Sequence, residues 1–247
     1  MEDELIKRLA DLAARCERQS AITHTAFLTP AEQAEAASWA KQNGCRLVLS
    51  GGHPECERKA AFFLPFYVEP ETFSPEEYIC AMRAEAFFGA PAHRDYMGAI
   101  LGLGIRREWL GDIWVDDSGA TIFCLPGVER HLLDSLDRVG SVSVRVSSVA
   151  LSELSAPERA VSSVTFSVQS MRLDAVCAGM FHLSRTKAEE AIRLGLVSLN
   201  YLPCLKGSVT VREGDTISVR GHGKGTLGAP GGLSKKGRQF VTAELRK

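Results

Sequence analysis

The sequence predicts an α+β protein made of three small α/β domains, and three observations support this fold class. The chain of 247 residues has room for two or three small domains. Apolar residues recur every three or four positions in some segments and every second position in others, so helices and strands are mixed along the chain. Polar, proline-containing segments interrupt these patterns near residue 75 and after residue 152. The expected boundaries are 1–75, 76–152 and 166–247, with a linker over 153–165.

The first domain is predicted to be a small α/β unit. One amphipathic helix is expected over 4–18, and Thr29-Pro30 should begin a second helix, because proline suits the first helical position. Short strands are expected over 46–49 and 60–68. The glycines at 51 and 52 between them could cradle an anion, but a plain turn is the favoured interpretation.

The middle domain is predicted to have the order βαββαβ, which ferredoxin-like folds share with the RNA-recognition motif. The predicted elements are strands over 78–87, 112–115, 121–124 and 141–149, and helices over 93–101 and 128–139, the second with Leu132, Leu133 and Leu136 inward. RNA-recognition motifs stack bases on aromatic residues of the central strands, and Phe123 is the one candidate here. The domain is acidic, so we expect little RNA binding on this sheet face.

A second group of cations in the middle domain is a candidate RNA or partner site. It comprises His93 and Arg94 at the start of a predicted helix, and Arg106 and Arg107 after its end. The alternative, which we weigh equally, is that Arg94 and Arg106 pair with the neighbouring carboxylates of Asp95 and Glu108.

The last domain is predicted to contain two short helices followed by a small sheet. The first helix carries an apolar face from Leu173 to Met180, and Ser184 is expected to cap the second, which ends before Gly195. Strands are expected over 196–200, 216–220 and 239–245. The glycine-rich segment 221–228 between them is interpreted as a loop.

Cations gather where the second of these helices begins. Arg185 and Lys187 lie in its first turn, Ser184 precedes it, and Arg172 begins the other helix. A helix N-terminus with free N–H groups, a hydroxyl and two cations suits a phosphate group. The alternative is that these are ordinary solvated side chains.

The charge distribution favours a polyanionic partner at one end of the chain. The overall net charge is −1, but residues 1–75 carry −3, residues 76–160 carry −5, and residues 161–247 carry 13 Lys/Arg against 6 Asp/Glu, a net +7. The seven scattered cysteines include no Cys-x-x-Cys pair, which indicates reduced thiols in the cytoplasm. No apolar run is long enough for a membrane span, and the N-terminus lacks the basic start of a signal peptide.

No catalytic, metal or cofactor site is predicted. The histidines at 53, 93 and 131 lie far apart and have no motif partners. Residues 223–228 spell G-x-G-x-x-G, but no helical pattern follows, so a dinucleotide site is not expected. An RNA-modifying enzyme of the pseudouridine synthase type remains the alternative; it would need a catalytic aspartate, and Asp174 lies within a predicted helix.

The C-terminal third resembles the S-four RNA-binding domain. The matching motifs are Arg172-Leu173-Asp174, Leu183-Ser184-Arg185-x-Lys187-Ala188, Gly195-Leu196-Val197 with Asn200, and Glu213-Gly214-Asp215-x-Ile217-x-Val219-Arg220-Gly221. The resemblance and the basic tail together imply an RNA-binding surface formed by Arg172, Ser184, Arg185, Lys187, Asn200, Arg220, Lys224, Lys235, Lys236 and Arg238.

Nearly the whole chain is similar to the YlmH family. The motifs are Phe27-Leu28-Thr29-Pro30-x-Glu32-Gln33, Gly51-Gly52-x-Pro54-x-x-Glu57-Arg58-Lys59, His93-Arg94-Asp95-Tyr96-x-Gly98-Ala99-Ile100-Leu101-Gly102-Leu103-Gly104-Ile105-Arg106-Arg107-Glu108 and Gly111-Asp112-Ile113. The resemblance implies RNA binding without catalysis on stalled large ribosomal subunits, in ribosome-associated quality control. The implied partners are rRNA, tRNA and quality-control protein factors, with no cofactor, DNA or membrane. A scaffold linked to cell division is a further alternative attached to the family.

Overall fold

The computed structural model of the chain describes residues 2–156, 161–234 and 237–246. The chain divides into two compact units, Met1–Pro157 and Glu158–Lys247.

The N-terminal part of the first unit packs two helices on a small antiparallel sheet. Its elements are α1 (Glu2–Gln19), β1 (Thr23–His24), α2 (Pro30–Gln42), β2 (Leu47–Ser50) and β3 (Ala60–Phe63), and the sheet order is β1-β3-β2. Thr29 caps α2 in a capping box with Glu32, as the Thr-Pro sequence predicts. Strand β3 ends earlier than expected, two residues before Pro65, which lacks the N–H that a strand needs.

The middle part of this unit has the predicted ferredoxin-like order. Its elements are β4 (Cys80–Ala86), α3 (His93–Gly102), β5 (Leu110–Asp116), β6 (Gly119–Cys124), α4 (Pro126–Ser135), β7 (Arg138–Val139) and β8 (Val142–Val149). The antiparallel sheet has the order β5-β6-β4-β8-β7, in which the first and third major strands are central. The short strand β7, which was not predicted, extends one edge.

Helix α4 differs from the prediction at its C-terminal end. It stops at Ser135, and Val139, which was expected to be helical, pairs with Val142 in the β7–β8 hairpin. Leu132 and Leu136 are buried as expected, but Leu133 is 42% exposed, so its predicted inward orientation is wrong. Leu132 and Leu133 are adjacent and equally apolar, so the sequence pattern does not show which of them faces the sheet.

The N-terminal and middle parts share one hydrophobic core and are also joined by hydrogen bonds from Arg58. Phe27 and Phe62 from the N-terminal part pack in one cluster with Trp114 and Phe123 from the middle sheet. The Arg58 guanidinium donates to the carbonyls of Phe27 and Leu110 at 2.8 and 3.2 Å. Because its guanidinium group is bonded to backbone carbonyls of both parts, Arg58 helps to hold the N-terminal and middle parts together.

The second unit packs two helices against one face of an antiparallel sheet. Its elements are β9 (Val161–Val168), α5 (Leu173–Met180), α6 (Arg185–Arg193), β10 (Val197–Leu199), β11 (Leu202–Pro203), β12 (Thr216–Val219), β13 (Gly223–Leu233) and β14 (Gln239–Arg246). The sheet order is β11-β10-β12-β13-β14-β9. The helices α5 and α6 and the strand over 239–245 agree with the prediction.

Two segments that were interpreted as irregular are strands. Strand β9 occupies part of the expected linker, because Val164, Phe166 and Val168 alternate with small hydroxyl residues and pair along β14. The glycine-rich segment forms β13, which was expected to be a loop. A Cβ at Gly225 would lie 2.8 Å from both the Met180 sulfur and a Leu245 methyl group, so glycine fits this strand by allowing close packing.

Candidate nucleic-acid interface

Ser184 and Lys187 define the start of helix α6. The Ser184 hydroxyl accepts a hydrogen bond from the Lys187 backbone N–H at 3.2 Å, which confirms Ser184 as the N-cap. The Lys187 side chain is exposed, as is that of Arg185 in the same turn. The first turn therefore presents two cations to solvent at the positive end of the helix dipole.

A buried carboxylate, that of Asp174, holds two of the predicted arginines. Asp174 is 1% exposed, and its carboxylate accepts hydrogen bonds from Arg172 at 2.6 and 3.2 Å and from Arg185 at 3.4 Å. The side chains of Arg172 and Arg185 remain 41% and 57% exposed. The structure thus brings Arg172 and Arg185 together through a buried anion that the sequence analysis did not assign to the site.

The environment of Asp174 keeps it ionised. The hydrogen bonds from Arg172, together with the Ala175 N–H and the charge of Arg185, hold the pKa of the Asp174 carboxyl below its usual value, against the opposing effect of burial. The Gly207 carbonyl accepts a hydrogen bond from the Asp174 N–H at 3.1 Å, and a Cβ at Gly207 would lie 3.1 Å from the Asp174 Cβ. This close approach of the loop to Asp174 favours a residue without a side chain at position 207.

Asn200 has a structural function in the turn after β10. Its amide nitrogen donates to Asp215 at 2.8 Å, and its amide oxygen accepts from the Thr216 N–H at 2.9 Å. Both ends of the amide are thus used to join the β10–β11 turn to the start of β12. These bonds give Asn200 a structural function in this turn, and its contact with RNA stays a prediction.

Arg220 and Lys224 lie on either side of the turn between β12 and β13. Arg220 is exposed, and its N–H donates to the Leu196 carbonyl at 2.9 Å. The Lys224 ammonium lies 5.6 Å from the ring centroid of Tyr201. Lys224 pairs with Ser218 across β12–β13, while the flanking Ile217 and Val219 are buried, so Lys224 lies on the sheet face opposite the core.

Arg238 lies near the turn between β13 and β14, at the opposite end of β13 from Lys224. Its guanidinium donates to the Ser167 carbonyl at 3.1 Å, and its backbone N–H donates to the Ser234 hydroxyl at 3.0 Å. Lys235 and Lys236, which were predicted to contact phosphate, lie outside the described residues. They remain predictions from the sequence.

The second cation group of the middle domain is divided between the two ends of helix α3. His93 and Arg94 begin α3, and Arg106 and Arg107 follow its end; the ten-residue helix is about 15 Å long. Arg94 and Arg106 form the weak local ion pairs that were the alternative interpretation, at 3.7 Å to Asp95 and 3.8 Å to Glu108.

Arg107 is directed into the protein. Its guanidinium donates to the carbonyl of Leu110 at 2.8 Å, and burial lowers its pKa from the usual arginine value. One nitrogen of its guanidinium group, Nη1, is thus used by backbone carbonyls, and the half-buried Arg107 is less available to a partner than the exposed Arg106. The secondary RNA or partner site at Arg106 and Arg107 stays a prediction. Arg106 lies over the exposed ring of Trp109, 5.1 Å from the centroid.

Phe123 cannot stack on a nucleic-acid base in this structure. It is fully buried, with its ring 4.7 Å from that of Trp114. The N-terminal part covers this side of the middle sheet through Phe27 and Phe62. The sheet face that RNA-recognition motifs use is thus occupied here by protein packing.

Neither a metal centre nor a membrane span emerges from the described part of the chain. Within residues 2–156, 161–234 and 237–246, His, Cys, Asp and Glu side chains form no group of three suited to a metal ion. Among the helices in these ranges, none combines the length and apolar character that crossing a bilayer requires. All seven cysteines fall within these ranges, and none of them forms a disulfide bond.

Family comparisons match most of the chain in three consecutive segments. Residues 1–63 match the family described as "YlmH, N-terminal", residues 76–153 match "Putative RNA-binding domain in YlmH", and residues 171–217 match "S4 domain". The last segment contains Asp174, Ser184 and both helices of the second unit. The fold and this segment define an S-four-type RNA-binding protein.

A curated relative and a solved structure extend these matches. The chain is 33% identical over 223 residues to "Ribosome-associated protein quality control protein P2" of Bacillus subtilis (strain 168), covering 90% of this chain and 87% of the relative. The chain belongs to the YlmH family. "Cell division protein ylmH from Streptococcus pneumoniae" has a TM-score of 0.54 and 24% identity, covering 62% of this chain and 93% of that one, and shows similarity of fold.

Proposed function

We propose that this protein is a non-catalytic RNA-binding protein of the cytoplasm that acts on the large ribosomal subunit. The RNA that it binds is ribosomal RNA. It acts on stalled large subunits in ribosome-associated quality control, and there it also contacts tRNA and quality-control protein factors. The printed name of the Bacillus relative, a ribosome-associated quality-control protein, supports this assignment. The absence of disulfide bonds among the described cysteines fits a reducing compartment.

The observation that carries the proposal is the group of cations at the start of α6. Arg172 and Arg185 are held side by side on the buried Asp174, and Lys187 is exposed one helical turn into α6. Preorganised guanidinium groups lose less side-chain freedom when they bind phosphate oxygens than freely rotating ones do. We propose that phosphates of the RNA backbone bind at this helix end.

The charge of the second unit supports the same site. Residues 161–247 carry a net +7, whereas residues 1–160 carry a net −8. Phosphate contacts provide much of the affinity for RNA, and each one formed by a cation makes binding more sensitive to salt. The acidic first unit is better suited to a protein partner than to RNA.

The alternative of a pseudouridine synthase-type enzyme is the weaker one. Such chemistry needs an aspartate that can reach the target nucleotide. Asp174 is 1% exposed, and its oxygens accept hydrogen bonds from Arg172 and Arg185. This arrangement supports a structural function for Asp174 in orienting the two arginines.

The test of the proposed function compares the two compact units with the whole chain. The fragment 158–247 is expected to retain most of the affinity for ribosomal RNA in filter binding, because it carries the cations. The fragment 1–157 is expected to bind weakly, because it is acidic. An N-terminal fragment that binds as tightly as the full chain would place the main RNA site in the first unit.

A further inference from the structure

The turn between β10 and β11 has an unusual residue at its second central position. Leu199 pairs with Leu202, so Asn200 and Tyr201 form a two-residue hairpin loop, and their φ angles are +49° and +68°. Two positive φ angles define a type I′ turn, for which Asn-Gly is the preferred sequence. Asn200 fits this preference, but Tyr201 occupies the position where glycine is favoured, because a Cβ there is sterically unfavourable.

The Tyr201 side chain is presented to solvent beside a cation. Its residue is 39% exposed, and the Lys224 ammonium lies 5.6 Å from the ring centroid. Leu202, the next residue, is 56% exposed, so the turn itself buries little of this apolar surface. Tyr201 thus combines a strained backbone conformation with an exposed aromatic ring. This combination indicates a function for the ring.

The sheet face that carries Lys224 is rich in hydroxyl groups. Ser198 and Ser218 lie in register with Lys224 on the sheet face opposite the core. On the same face, the hydroxyls of Thr216 and Thr226 are 3.3 Å apart. These short side chains offer donors and acceptors suited to ribose hydroxyls.

We propose that Tyr201 is a stacking platform for an unpaired nucleotide of the bound RNA, with Lys224 contacting the adjacent phosphate. Stacking on an aromatic face is how proteins hold bases that are not paired, and a neighbouring cation binds the backbone that carries the base. The proposal rests on the proposed RNA-binding function and adds a second contact to it. A protein ligand is less favoured, because a buried interface on this ring would also have to desolvate the Lys224 ammonium.

The experiment uses the full chain, two substitutions and two RNA probes. The probes are a hairpin RNA with a blunt end and the same hairpin with a short single-stranded extension that carries 2-aminopurine. Tyr201→Gly is expected to lower affinity for the extended hairpin by about 5- to 100-fold, the range found for one lost stacking contact. Its affinity for the blunt hairpin should stay close to that of the wild type, and its 2-aminopurine fluorescence should no longer be quenched on binding.

The control variant and the melting temperature separate stacking from a structural effect. Tyr201→Phe keeps the ring and should bind both probes like the wild type. Tyr201→Gly should not lower the melting temperature, because glycine relieves the strain of the type I′ turn. A lower melting temperature combined with equal losses on both probes would overturn the proposal, since the ring would then be supporting the hairpin.

Failure of this inference is distinguishable from failure of the proposed function. If Tyr201→Gly binds both probes like the wild type while Lys187→Glu binds both weakly, the stacking site is refuted and RNA binding at α6 stands. If the wild-type protein binds neither probe, both are refuted.

Discussion

Replacing Lys187 by glutamate is expected to weaken RNA binding by about 10- to 100-fold without lowering the stability of the protein. The substitution removes one exposed cation and places an anion beside the proposed phosphate site, and a single charge-assisted hydrogen bond contributes about 1.5–3 kcal/mol. The fold should tolerate the change, because glutamate three residues after the Ser184 N-cap completes a capping box.

The measurement for Lys187→Glu is RNA affinity at several salt concentrations, beside a thermal melt. If about five phosphates are contacted, the log–log slope for the wild-type protein should be roughly −3 to −5, and the variant should have a slope smaller in magnitude by about 1. Lys7→Glu is the matched control, since Lys7 is exposed in α1 and the change in net charge is the same. Equal losses in the two variants would mean that overall charge, and not this helix end, governs binding.

A substitution of Arg185 would distinguish less clearly between lost phosphate contact and local structural rearrangement. Its guanidinium lies 3.4 Å from both the Asp174 and Glu189 carboxylates, so a glutamate at 185 would place three carboxylates near one another. A loss of affinity in that variant would combine lost phosphate contact with local rearrangement. Lys187 avoids this ambiguity because its hydrogen bond to Ser184 is made by the backbone.

Replacing Asp174 by alanine is expected to destabilise the second unit by about 2–4 kcal/mol. The substitution removes a buried acceptor that satisfies Arg172, Arg185 and the Ala175 N–H, and breaking a buried charge pair costs about 3–5 kcal/mol when the remaining partner stays buried. We expect a smaller loss here, because both arginines can still reach solvent. Amide hydrogen exchange over 171–194 should accelerate in the variant.

Glu190→Ala provides the control for Asp174→Ala. It removes one negative charge from α6 at an exposed position, and its hydrogen exchange should match that of the wild type. Unchanged protection in Asp174→Ala would mean that the buried carboxylate does not stabilise the two helices, and that Arg172 and Arg185 are ordered in another way.

The stabilities of the wild type and of Asp174→Ala should also differ in their dependence on pH. Because the folded-state pKa of Asp174 is lowered, its contribution is fully present above the ordinary aspartate pKa of about 3.9 and is lost as the pH falls through the folded value. The difference in stability between wild type and Asp174→Ala should therefore shrink on acidification below about pH 4. A constant difference across this range would contradict the ion-pair assignment.

The sequence was sufficient to predict features that depend on local pattern. The βαββαβ order followed from the periodicity of apolar residues, and the Ser184 cap followed from a hydroxyl residue placed just before a helical segment. Both features are determined within a few residues of the chain. They therefore need no knowledge of what packs against them.

Features that depend on distant packing could not be predicted in this way. The burial of Asp174 requires the loop at Gly207 to cover it, more than thirty residues later. The inward direction of Arg107 requires carbonyls that only the folded strand β5 provides. Phe123 was considered for stacking because its strand is central, but the N-terminal part of the same unit covers that face.

The missed strands have a related explanation. In β9 the alternating polar positions are serine and threonine, which also occur in linkers, and the strand is stabilised mainly by pairing with β14 at the other end of the domain. In β13 the glycines lack side chains that would produce a period-two pattern. The positive φ angle of Tyr201 and the position of its ring beside Lys224 depend on how β10, β12 and β13 pair, and local sequence pattern does not indicate them.

The most direct test of the central claim is sedimentation of the tagged full-length protein through sucrose gradients, from cells with and without translational stalling. The proposed function predicts that the wild-type protein accumulates on free large ribosomal subunits when translation stalls, and that Lys187→Glu stays largely at the top of the gradient while Lys7→Glu behaves like the wild type. A wild-type protein found exclusively in the ribosome-free fractions under both conditions would contradict the claim.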